Sequence, residues 1–166
     1  MGNRTIIIKP FDTHKSVRKA AKTTDVFAKW EINSDGKKYA WSNKMERLSV
    51  IRQGVPYQAI ETISKLLDRP VKTVLLILGI PQTTYNKKKS EHSLLDRRES
   101  ELILLILELL DFGQEVFNNE KDKFQRWMKK PNLSIGGNSP ESLLDTTTGI
   151  NEVMYCLNRI EYGNFA

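Results

Sequence analysis

The stretch from Asp96 to Phe117 constrains the fold more than any other part of the chain. Asp96-Arg97-Arg98-Glu99 reads as a capping box: the aspartate accepts from the third free amide of a new helix, and the glutamate reaches back to the cap. The helix that follows is leucine- and isoleucine-rich from Leu102 to Leu110, apolar all round for two turns, and Val116 and Phe117 continue one face. A helix without a polar side must be covered on more than one side, by its own chain or by a second copy of it. Its unbroken apolar run, Leu102 to Leu107, is bounded by Glu101 and Glu108 far short of a membrane span, so a globular helical core is expected around it.

A chain of 166 residues encloses one ordinary core, or divides it between two small helical subdomains. The single cysteine, Cys156, and two distant histidines, His14 and His92, exclude a disulfide framework and a Cys/His metal site within one chain. No nucleophile, base and orienting group occur together, so the expectation is a protein that is not an enzyme and needs no cofactor. Thr5-Ile6-Ile7-Ile8-Lys9-Pro10 is too short an apolar run for a secretory signal, and a soluble, cytoplasmic protein is expected.

Charge divides the chain. Residues 1 to 90 hold 18 Lys and Arg against 7 Asp and Glu, a net of +11; residues 91 to 166 hold 8 against 13, a net of −5. A basic first half suits an anionic partner such as nucleic acid and an acidic second half suits a basic one, so a two-sided adaptor is the simplest reading.

Residues 1–47 form a variable N-terminal segment. Thr5 to Ile8 suits a short strand or an apolar clip. Asp12 to Ala28 has weak helical character, and its cluster Lys15, Arg18, Lys19 and Lys22 suits either a nucleic-acid arm or a solvated basic face. Asn33-Ser34-Asp35-Gly36 is a turn signal, and Trp30, Tyr39 and Trp41 are expected to pack the segment onto the body. From Met45 a helix runs to Gly54. Pro56 then opens another through Leu67, with Tyr57, Ile60, Ile63, Leu66 and Leu67 on its apolar face, and Asp68-Arg69-Pro70 stops it.

Val71 to Lys89 has the shape of a helix-turn-helix: about two turns of helix, Gly79 to bend the chain, and a polar second helix ending in three lysines. Val74, Leu78, Ile80 and Tyr85 stand where the two helices must pack. On the outer face Gln82, Thr83 and Asn86 are the candidates for base edges and Lys87, Lys88 and Lys89 for phosphates, with Thr84 a further DNA-binding candidate. Leu75 occupies the position where close helix approach favours Ala or Gly, and Pro81 opens the second helix without a side-chain cap.

Asn118-Asn119 breaks the long helix, and Glu120 to Lys130 is a short amphipathic one with Phe124, Trp127 and Met128 inward. After the connector Asn132 to Gly137 come two short helical pieces. Asn138 or Ser139 caps the first, with Pro140 at its first position; Asp145 or one of Thr146, Thr147 and Thr148 caps the second. Ile150, Val153, Met154, Leu157 and Ile160 share one face of that last helix, and Gly163 ends it.

Several features recur in one order over about residues 48 to 163: Gly54; Leu78-Gly79-Ile80 followed by Thr84 and basic residues; Trp127 and Pro131-Asn132; Gly136-Gly137; Ser139-Pro140; Leu143-Leu144-Asp145-Thr146; then Gly149, Val153, Leu157 and Tyr162-Gly163. That order resembles the Xre/MbcA/ParS-type antitoxins of bacterial type II toxin–antitoxin systems. The resemblance implies an all-α fold, with an Xre-like helix-turn-helix domain at 48–95 and a small helical dimerisation and toxin-binding domain at 96–166. It also implies a RES-domain, NAD-degrading toxin as partner, occluded by the C-terminal domain, and repression of an operator by a homodimer. Carried onto this chain, the toxin contacts are Asp145, Thr146, Gly149, Arg159, Glu161, Tyr162, Gly163, Asn164 and Phe165, of which Asp145 and Gly149 are also candidates for folding the domain. The alternative is a stand-alone dimeric DNA-binding regulator with no toxin partner.

Overall fold

The computed structural model describes residues 29–163. The expectations for Thr5 to Ile8, for the stretch 12–28 with its basic cluster, and for Asn164 and Phe165 lie outside those residues. The chain runs β1 (Trp30–Ser34), β2 (Lys37–Trp41), α1 (Lys44–Gln53), α2 (Ala59–Leu67), α3 (Val71–Leu78), α4 (Gln82–Ser90), α5 (Arg97–Val116) and α6 (Lys121–Lys129). Two 3₁₀ turns, Leu133–Ile135 and Pro140–Leu143, lead to α7 (Thr147–Glu161).

Helix α5 is the axis of the molecule. Its capping box is present in both directions: the Glu99 amide donates to Asp96 Oδ1 at 2.7 Å and the Asp96 amide to Glu99 Oε2 at 3.0 Å. Every residue from Leu102 to Leu110 is buried, so one chain covers this apolar stretch on all sides and no second copy is needed for it. Helices α1, α2, α6 and α7 supply the cover.

The N-terminal turn signal is the tip of an antiparallel hairpin, a two-stranded addition to the helical fold that the sequence reading had only as a turn. Trp30 faces Trp41 and Ser34 faces Lys37, with Asp35-Gly36 between. Period-2 alternation turns Ile32, Tyr39 and Trp41 into the core. Trp41 Nε1 donates to Glu108 Oε1 and Arg47 Nη1 donates to Glu108 Oε2, both at 2.6 Å. A carboxylate buried on α5 thus has a partner on each oxygen, which is the condition for tolerating a charge inside a core.

Two local expectations are corrected. Pro56 does not open α2, which starts at Ala59. The Val55 amide donates to Ser100 Oγ (3.2 Å), the Val55 carbonyl accepts from Leu95 (2.8 Å), and Pro56 bridges Leu94, so this segment is extended and pinned against the α4–α5 connector. At the other end, Ser139 precedes the 3₁₀ turn without a side-chain cap, and Asn138 Nδ2 donates backwards to the Ile135 carbonyl at 3.0 Å. Pro140 does stand at the first position, where its missing amide costs nothing.

Polar contacts join the helix-turn-helix to the C-terminal elements. Arg69, between α2 and α3, holds Glu141 through two bonds of 2.6 and 2.7 Å, a fork-to-fork pair that fixes orientation as well as distance. Arg98 donates to the carbonyls of Leu78 and Asp145, both at 3.4 Å, and Gln125 Nε2 donates to the Leu66 carbonyl at 3.1 Å. Among the described residues no helix is long and apolar enough to cross a membrane.

Candidate nucleic-acid and toxin interfaces

Helices α3 and α4 meet through Val74, Leu75, Leu78, Ile80 and Tyr85, all buried. Gly79, at φ +71°, makes the left-handed step that ends α3, a conformation that costs a residue with a Cβ about 1 kcal/mol or more. Leu75 is in the core rather than obstructing the helix pair. Pro81 precedes α4 with no side-chain cap, so no capping side chain satisfies the first amides of α4.

The outer face of α4 carries Gln82, Thr83, Asn86, Lys87 and Lys88, all exposed, with Thr84 half-buried. Gln82 Nε2 donates to Asn86 Oδ1 at 3.0 Å, which is the i,i+4 pairing expected on a helix surface. Lys87 and Lys88 lie at the limit of ion pairing with Glu91, at 4.0 and 3.9 Å. Lys89 is arranged differently: its ammonium holds Glu61 on α2 and stands 5.7 Å from the centre of the Tyr85 ring, while the Tyr85 hydroxyl donates to Glu61 at 3.3 Å. The Lys89 hydrogen bond lowers the Glu61 pKa, the same bond raises that of Lys89, and burial chiefly raises that of Tyr85. Of the three lysines proposed for phosphates, Lys89 is therefore the one already tied to the protein.

At the C-terminal end, Thr146 is the cap of α7: its hydroxyl accepts from the Gly149 amide at 3.0 Å. Gly149 is buried where α7 crosses the preceding 3₁₀ turn, and a Cβ there would be driven into the Leu143 carbonyl. Asp145 is exposed, and its carbonyl takes one Arg98 bond. These three residues of the motif set the path of the chain into α7, whereas Glu161, Tyr162 and Gly163 stand exposed at its far end.

Two residues at this end escaped the sequence reading. Tyr155 is 63% exposed and Leu133 94% exposed. Tyr155, Arg159 and Tyr162 follow the i, i+4, i+7 spacing of one helical stripe, a signal that the inward stripe of Ile150, Val153 and Leu157 concealed. Beside that stripe is a cavity of about 210 Å³ lined by Trp127, Asn132, Ser134, Cys156, Arg159 and Ile160. Burial raises the Cys156 thiol pKa, so this sulfur is held as a neutral thiol and is a poor nucleophile.

Residues 46–108 match the Antitoxin Xre-like helix-turn-helix domain, and residues 113–163 match the Antitoxin Xre/MbcA/ParS C-terminal toxin-binding domain. Antitoxin Xre from Photorhabdus laumondii is 31% identical over 115 residues, covering 69% of this chain and 78% of the relative. Antitoxin Xre from Yersinia enterocolitica is 30% identical over 116 residues, covering 70% and 78%. The Prs ADP-ribosylating antitoxin of a Sphingobium species is 29% identical over 135 residues, covering 75% and 84%. With both characteristic regions present in order and built on one shared helix, the chain belongs to the Xre/MbcA/ParS family of antitoxins, combining a helix-turn-helix with a toxin-binding domain.

Proposed function

We propose that this antitoxin neutralises a RES-type, NAD-degrading toxin by laying the exposed end of α7 and the tail beyond it over the toxin's substrate pocket. The observation that carries the reading is the pair of exposed tyrosines, Tyr155 and Tyr162, with the half-buried Arg159 between them on the same stripe, which in sequence leads directly into Asn164 and Phe165. Tyrosines supply large contact area at low entropic cost and are enriched at interface centres. The Sphingobium relative's name, an ADP-ribosylating antitoxin, adds support, since ADP-ribosylation consumes NAD. Within the motif, Thr146 and Gly149 serve the interface by fixing where α7 points, and Glu161, Tyr162, Gly163, Asn164 and Phe165 meet the toxin.

The same proposal assigns repression of the antitoxin's own operon to α3 and α4, acting as a homodimer on paired half-sites in the cytoplasm. Because one chain already covers Leu102 to Leu110 of α5, the dimer contact belongs outside that stretch. Residues 48–95 would serve the operator and 96–166 the toxin.

Removing residues 162–166 tests the occlusion. The truncated protein should retain the helical circular-dichroism spectrum and melting temperature of the full chain, yet fail to protect cells that express the partner toxin. Full protection by the truncated chain would end the tail-occlusion reading.

A further inference from the structure

The outer face of α4 presents amides and hydroxyls where it would meet base edges and keeps its cations at the far end. Gln82, Thr83 and Asn86 occupy the first turn and a half, and the lysines begin only at Lys87. Residues near the start of a recognition helix are the ones that reach the bases. No arginine occurs on α4, and Lys89 is committed to Glu61. Guanine offers two acceptors, N7 and O6, to the major groove, and its commonest partner is a cationic fork or ammonium. Nothing on the leading turns of α4 supplies one.

Adenine offers one acceptor, N7, and one donor, the N6 amino group, and the side chain that answers both is a carboxamide. The Gln82–Asn86 hydrogen bond places two carboxamides side by side on the exposed face. It uses one hydrogen of Gln82 and one lone pair of Asn86. That bond leaves the Gln82 oxygen as an acceptor and the Asn86 amino group as a donor on this exposed face. Thr83, on the same exposed face, adds a methyl group of the kind that contacts the thymine C5-methyl. We propose that α4 reads an adenine through the Gln82–Asn86 amide pair, so that the operator half-sites are A·T-centred; the inference rests on the operator reading above and specifies it.

The test begins with selection by the full-length antitoxin from random-sequence duplex DNA at fixed salt, followed by titration of the selected site. Adenine should be enriched at the positions nearest the α4 start. Asn86→Ala and Gln82→Ala should each weaken the selected site by roughly 10- to 100-fold, while binding to random duplex is unchanged. Replacing that adenine by 7-deazaadenine, which lacks the N7 acceptor, should weaken the wild type similarly and add little to the loss in Asn86→Ala. Lys87→Gln should instead weaken all duplexes alike and reduce the salt slope by about one.

Three outcomes overturn the proposal. Selected sites with guanine at those positions, or an Asn86→Ala variant that binds the selected site like wild type, would refute the amide readout and leave operator binding intact. Failure to select any sequence, with only salt-sensitive binding to all duplexes, would remove the operator reading as well.

Discussion

Helices α4 and α7 carry the two proposed surfaces and are held in opposite ways. Helix α7 is fixed along its length: Gly149, Ile150, Val153, Cys156 and Leu157 are buried, and Thr146 caps its start. Its proposed working surface is the exposed tyrosines and the end of the helix. Helix α4 has one buried residue, Tyr85, no side-chain cap, and an outer face that is polar throughout. In α7 the residues that fold the helix and those that face solvent are different sets, so either can change alone. In α4 nearly everything except Tyr85 faces outward, and the position of the whole surface hangs on that ring, with the half-exposed Glu61–Lys89 contact beside it.

The largest effect should therefore come from the smaller anchor. Tyr85→Ala removes a 4%-exposed aromatic side chain and the hydroxyl bond to Glu61, and truncation of a buried aromatic costs roughly 3–5 kcal/mol. Chemical unfolding should show that loss, and DNA binding should fall further than the stability change explains, because α4 loses its only buried attachment. Toxin binding by the folded fraction should persist. If Tyr85→Ala impaired the two activities equally, the surfaces would not be separately anchored.

The sequence made this contrast only partly legible. The strong periodic elements were readable because one cause set each of them: the capping box and apolar run for α5, the glycine bend for the α3–α4 pair, the inward stripe for α7. What escaped depended on distant partners. The hairpin strands are short and carry few β-branched residues, and they are held by Trp41 reaching Glu108 across 67 positions. Pro56 has a local preference for a helix start, overridden by Ser93, Leu95 and Ser100. The diversion of Lys89 to Glu61 is equally invisible in a run of three lysines. For the proposed toxin surface, the i, i+4, i+7 spacing of Tyr155, Arg159 and Tyr162 is hidden because periodicity finds the stronger buried stripe of Ile150, Val153 and Leu157 first.

The second effect lies at α7. Gly149→Ala forces a methyl group against the Leu143 carbonyl, where backbone rather than a flexible side chain must yield. Overpacking of this kind costs about 1–3 kcal/mol. The start of α7 should shift, and toxin affinity should fall along with the melting temperature, while DNA binding follows stability alone. The informative counterpart is Tyr155→Ala, on the solvent side of the same helix, which should weaken toxin binding with little change in melting temperature. Equal thermal losses for the two would contradict the division between a buried and a working stripe.

The smallest effect is the one that best isolates α4. In Glu61→Gln the carboxylate that holds Lys89 is gone. The pair is well exposed on both sides, so screening limits its contribution to stability to below about 1 kcal/mol. Its pH dependence has a fixed sign. The folded pKa of Glu61 lies below its ordinary value, chiefly through the Lys89 bond, so its contribution is complete above the ordinary carboxylate range and is lost as pH falls through the depressed folded value. The wild type should thus lose slightly more stability than Glu61→Gln on acidification. At neutral pH the variant should bind random duplex DNA more tightly, with a salt slope steeper by about one, because Lys89 becomes available to a phosphate beside Lys87 and Lys88. Sequence preference should not move, since the Gln82–Asn86 pair is untouched; a changed preference would mean that Glu61 orients the reading face itself and not merely the lysine behind it.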